Sequence, residues 1–84
     1  MTRPEKLYRA LLDNPVQIIA FRDFVRLIEN YGWQHIRTKG SHRSYAHNTC
    51  PELLVIQPRG NDAKPYQVKL FLAYVEEYGL QSRR

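Results

Sequence analysis

Two apolar stripes at helical spacing open the chain. In the first, Leu7, Leu11 and Leu12 recur over residues 4–13, with Pro4 suited to a first helical position and Glu5 in the first turn. Asn14-Pro15 stops that helix, because proline lacks an N–H and restricts the residue before it. The second stripe is Phe21, Phe24, Val25 and Ile28. It predicts a helix from Ile19 or Ala20 to Tyr31, with Arg22, Asp23, Arg26 and Glu29 toward water and Gly32 as the residue that closes it.

The period then shortens. Trp33 to Thr38 is brief and rich in β-formers, Lys39-Gly40 marks a turn, and a second strand runs from Ser41 or His42 to His47. Asn48-Thr49-Cys50-Pro51 reads as punctuation before a third strand, Leu53 to Gln57. Tight connections between short strands imply an antiparallel meander. The polar loop 58–63 leads to Lys64-Pro65, which opens a last helix with Val68, Phe71, Leu72 and Val75 on its core side. Gly79 ends it, and Leu80 is placed to fold back as the hydrophobic contact beyond the cap. Arg83-Arg84 reads as a frayed basic tail. The expected fold is α+β in two layers, helix-helix-strand-strand-strand-helix, with a three-stranded antiparallel sheet packed by helices.

Composition narrows the function. Eighty-four residues make one domain, and a hydrophobic fraction of 43% belongs to a globular chain. Thirteen Lys and Arg against eight Asp and Glu give a net charge of +5, which favours a polyanionic partner such as nucleic acid, or an acidic protein that imitates one. A single cysteine, Cys50, gives no internal disulfide. With no apolar run of membrane-spanning length and no signal-peptide core near Thr2-Arg3-Pro4, the chain is expected in the cytoplasm.

The chemistry concentrates in Lys39-Gly40-Ser41-His42-Arg43-Ser44-Tyr45. Histidine takes and gives a proton near neutral pH, and here it follows a glycine turn with a cation on either side. RNA cleavage without a metal needs a base for the 2′-hydroxyl, an acid for the leaving oxygen and cations for the phosphoryl charge. His42 can be the base or the acid. Gly40 admits backbone close to a phosphate, Ser41 can orient one of its oxygens, and Lys39 and Arg43 can stabilise charge. Lys64, at the start of the last helix, is a further candidate for RNA contact, with Arg59 and Lys69 near it in sequence. Strand alternation sets a limit: Arg43 and Tyr45 share one face and His42 and Ser44 the other, so these side chains do not all reach one point. His35, His42, His47 and Cys50 match no compact metal-ligand spacing, so neither metal nor cofactor is expected. His35 and His47 read as strand-surface residues, paired across the sheet or touching RNA, and Trp33 reads as core.

A helix ending in Tyr31-Gly32-Trp33, a strand, and then Lys39-Gly40-Ser41-His42-Arg43 opening a second strand resembles the HicA toxins of bacterial type II toxin–antitoxin systems. The likeness runs from Phe21 to Leu80, through Leu54-Val55-Ile56-Gln57-Pro58 and the closing segment from Lys64-Pro65 to Gly79-Leu80. It implies a double-stranded-RNA-binding-like fold used as an mRNA endonuclease that slows translation and growth. The essential histidine of the family falls on His42, and the glycine before it on Gly40. The implied partner is a HicB antitoxin, through which any contact with DNA would be made. Two departures stand out. Many relatives carry a second histidine where this chain has Arg43, and residues 1–20 extend a core of 21–80. Two other readings use the same residues: an RNA-binding module without catalysis, and a degenerate toxin retained for its antitoxin.

Overall fold

The computed structural model describes residues 3–82, so the basic pair Arg83-Arg84 lies outside the described residues. Its elements are α1 (Pro4–Asp13), α2 (Phe21–Asn30), β1 (Gln34–Lys39), β2 (His42–His47), β3 (Cys50–Ile56) and α3 (Pro65–Tyr78). The strands form one antiparallel sheet in the order β1-β2-β3. This is the α+β arrangement that the hydrophobic pattern predicts.

Glycine closes α2 and α3. Gly32 has φ of 94° and donates its N–H to Glu29 O at 3.0 Å, while Trp33 N–H reaches Ile28 O at 3.1 Å. This double closure satisfies carbonyls that the helix leaves without partners. A Cβ on Gly32 would also stand 2.8 Å from His47 Nε2. Gly32→Ala therefore meets both backbone strain and a collision, and should lower unfolding free energy by about 2 kcal/mol or more. Urea denaturation measures it, and a loss below about 0.5 kcal/mol would contradict the account. At the other helix, Leu80 N–H bonds Val75 O at 3.0 Å and the Leu80 side chain is buried, as expected for the contact beyond Gly79.

The core joins all three helices to one face of the sheet. Leu7 and Leu11 of α1, Phe24, Leu27 and Ile28 of α2, Tyr45, Leu54 and Ile56 of the sheet, and Val68, Phe71 and Val75 of α3 belong to one buried cluster. Some stripe positions differ from those expected. Leu12 is 57% exposed, since α1 buries only the narrow line through Leu7 and Leu11. Val25 and Leu72 sit at the margin, and Leu27 takes the central place on α2. Phe71 meets Tyr8, Phe24 and Tyr31 edge-on, with ring centroids 6.4, 6.0 and 5.5 Å away. Burial lifts the Tyr31 hydroxyl above the usual tyrosine range, aided by Tyr8 and Glu5; burial also raises that of Tyr8, aided by Glu76.

The third strand begins earlier than its apolar run. Only Asn48 and Thr49 make the turn, and Cys50 and Pro51 already lie in β3, where Cys50 is buried opposite His47. Proline fits because β3 is an edge strand and the pairing is irregular between the His47 and Tyr45 positions. Beyond the sheet, a short antiparallel clamp ties the entry of α2 to the loop before α3. Phe21 N–H donates to Asn61 O at 2.8 Å and Ala63 N–H to Ile19 O at 2.9 Å, around a bridge between Ala20 and Asp62. The clamp holds the first residues of α2 and α3 at the same end of the sheet as the β1–β2 turn.

Candidate active site

The turn between β1 and β2 is two residues long, Gly40 and Ser41, flanked by the paired Lys39 and His42. Gly40 has φ of 61° and among the described residues no non-glycine residue has a positive φ, which is the pattern of a hairpin turn with glycine first. A Cβ at Gly40 would meet nothing within 4 Å, so glycine is required by the backbone and not by crowding. Directly opposed residues project to the same face, which puts Lys39 beside His42. Both are exposed. The next residue turns the other way. Arg43 lies on the helix-covered face with buried Tyr45, its guanidinium carbon 5.2 Å from the centre of the Phe21 ring at the start of α2. Arg43 and His42 therefore occupy opposite faces of β2, as the alternation requires.

Ser41 and Lys64 are brought together through Gln57, which no motif singles out. Gln57 Nε2 donates to Ser41 Oγ at 2.8 Å, and Lys64 Nζ donates to Gln57 Oε1 at 3.1 Å. Gln57 is held in turn by Gln67, whose Oε1 accepts the Gln57 backbone N–H at 3.0 Å. Gln67 is only 3% exposed, and its Nε2 donates to the Tyr66 hydroxyl at 3.1 Å. A glutamine at an apolar-stripe position of α3 is the one signal that could have exposed this arrangement, since a buried amide needs partners. A surface hollow of about 590 Å³ adjoins this end, lined by Ala20, Phe21, Arg22, Pro58, Gly60 and Asn61. Arg59 and Lys69 are exposed, and the Arg59 backbone is paired with Asp62.

The remaining histidines are committed elsewhere. A bulge at Ile36 brings His35 and Thr38 to one face, where His35 Nε2 and the Thr38 hydroxyl are 2.7 Å apart and the imidazole packs on its register partner Tyr45. His47, expected on the strand surface, is half-buried. Its Nε2 donates to Tyr31 O at 2.7 Å, so Nδ1 carries the lone pair that accepts the Thr49 backbone N–H at 3.1 Å. It bolts the β2–β3 turn to the end of α2. Trp33 is core, packed between His47 and Tyr74, and its Nε1 has no partner among the described residues. The Cys50 thiol points to Glu52 O at 3.6 Å. Among the described residues no three His, Cys, Asp or Glu side chains converge as a set that could hold a metal ion, and no helix is long and apolar enough to cross a membrane.

The fold thus defines a small basic α+β protein with an exposed histidine at a glycine turn. A family model described as HicA toxin of bacterial toxin-antitoxin matches residues 21–75, from the first residue of α2 to near the end of α3. Neither a curated protein nor a solved structure gives a significant match. The chain belongs to the HicA toxin family, and its place in a toxin–antitoxin system implies an antitoxin partner. The match begins where α2 begins, so α1 and the segment after it lie outside the matched range.

Proposed function

We propose that this chain is an endoribonuclease that cleaves mRNA in the cytoplasm, slows translation and growth, and is neutralised by a HicB-type antitoxin. The observation that carries the reading is His42, an exposed imidazole at the mouth of a glycine turn, with Lys39 across the strand pair and Ser41 next to it. In the reaction the RNA 2′-hydroxyl attacks the adjacent phosphorus and the 5′-oxygen of the next nucleotide leaves, giving a 2′,3′-cyclic phosphate and a 5′-hydroxyl. His42 takes the nucleophile's proton or supplies the leaving oxygen's. Lys39 stabilises the charge on the phosphoryl oxygens, and Ser41 and Lys64 contact the RNA backbone. Gly40 keeps the turn tight and open. Arg43 serves RNA from the other face of β2, or serves the fold by covering Phe21. Cleavage needs no metal ion.

Residues 1–84 act as one domain, a core of 21–80 extended by 1–20. The burial of Leu7 and Leu11 in the common core supports this, since it makes the extension part of the packing. One observation favours a second reading, an RNA-binding module without catalysis. His35 is held by Thr38 and His47 by Tyr31, so no second imidazole is free to share the proton transfers with His42. Expression of the chain alone, beside its His42→Ala variant, separates the two readings. Growth arrest with fragmented mRNA from the parent only, and cleavage by purified protein in the presence of a chelator, support the ribonuclease. Intact mRNA in both cultures rejects it.

A further inference from the structure

We propose that Gln57 is a positioning residue that fixes the hydrogen-bond polarity of an oxyanion site made by Ser41 and Lys64, and that the occupant is a phosphodiester of the RNA backbone. The inference rests on the ribonuclease reading for the identity of that ligand. The polarity itself follows from donor and acceptor chemistry.

An ammonium group only donates, so the Gln57 atom 3.1 Å from Lys64 Nζ must be the amide oxygen. That choice settles the other end. The amide nitrogen, 2.8 Å from Ser41 Oγ, must donate, and Ser41 must accept. A hydroxyl that accepts from Gln57 cannot direct its own hydrogen there, so the Ser41 O–H is turned away from the chain toward an incoming acceptor. Lys64 keeps two N–H donors and Gln57 keeps one. The result is a run of donors carried by the β1–β2 turn, the end of β3 and the start of α3, with Gln57 Oε1 already occupied.

Such a run fits an anion rich in acceptor oxygens, and a phosphodiester is the anion available beside His42. The amide is also anchored. Its backbone N–H is held by Gln67 Oε1 at 3.0 Å, and that buried glutamine is itself fixed by Tyr66, so the first link of the chain is tied to the fold.

The decisive variant is Gln57→Glu. A carboxylate has no hydrogen to donate. It would pair with Lys64, draw the Ser41 hydrogen inward and reverse the charge seen by a phosphate, with almost no change in size. Binding of a 2′-O-methyl RNA oligonucleotide, which cannot be cleaved by its own 2′-oxygen, should weaken about 10- to 100-fold. KM for a cleavable RNA should rise by a similar factor while kcat changes less than about threefold. Inorganic phosphate added to the parent should move the Ser41 and Lys64 amide resonances saturably, and should leave them unmoved in the variant. Equal RNA affinity in parent and variant, or phosphate shifts confined to other residues, would overturn the proposal. Where Gln57→Glu does not fold, Gln57→Met takes the same measurements, since it removes both side-chain hydrogen bonds without adding charge. Failure of the ribonuclease reading looks different: phosphate still perturbs Ser41 and Lys64, but His42→Ala changes neither RNA integrity nor growth.

Discussion

Cells that express the His42→Ala variant alone should grow normally with intact mRNA, while those that express the parent arrest. The imidazole is exposed, and no core contact depends on it, so its removal should change unfolding free energy by no more than about 0.5 kcal/mol. General acid–base catalysis contributes about 10²–10⁴ in rate, and cleavage of RNA by the purified variant should fall within that span. Binding of the 2′-O-methyl oligonucleotide should change far less, because Ser41, Lys64 and Lys39 remain. The contrast between a large loss of rate and a small loss of affinity distinguishes a proton-transfer group from one contact among several. A variant as toxic as the parent would remove His42 from the chemistry. One that loses affinity and rate in equal measure would make it a binding residue.

Phe71→Ala should have the largest effect on stability. The side chain is fully buried and its ring is the common neighbour of Tyr8 on α1 and of Phe24 and Tyr31 around α2. Truncation of a buried phenylalanine costs about 3–5 kcal/mol, through lost transfer energy and the cavity left behind. A domain of this size has roughly 4–13 kcal/mol in total, on the order of 0.05–0.15 per residue. The variant should therefore be largely unfolded at physiological temperature or show a urea midpoint far below the parent's. Phe71→Leu, which keeps most of the volume, should recover the greater part. A loss below about 1 kcal/mol on Phe71→Ala would mean that the three helices do not depend on this ring.

The architecture was readable because its signals are periodic or conformational. Stripes at helical spacing located α1, α2 and α3, and glycine followed by a hydrophobic residue located the ends of α2 and α3, where the backbone must take positive φ. Pairwise chemistry was less legible. His47 looked like a surface residue because nothing local shows that the end of α2 will present the Tyr31 carbonyl to it. The early start of β3 was hidden by Pro51, which reads as a breaker unless the strand is known to lie at an edge. At the site, the turn residues and His42 stood out from sequence as residue types in an order. Gln57 did not, since its role comes from a serine and a lysine that the fold brings to its two ends.

The clamp between residues 19–21 and 61–63 sets an order of assembly. It closes a loop of about 40 residues that contains α2 and the whole meander, whose strands are joined by two-residue turns. Hairpins with local contacts form in microseconds, whereas closure across a long loop must await them. The sheet, which carries His42, is therefore expected to form first, and the clamp, with Lys64 next to it in sequence, to close afterwards. Pulse-labelled hydrogen exchange during refolding should show the β2 amides protected before those of Phe21 and Ala63; simultaneous protection would refute that order. On the ribosome the consequence is timing. A nascent chain can carry a hairpin before residues 61–64 emerge, so Ser41 and Lys64 meet through Gln57 only late in its synthesis.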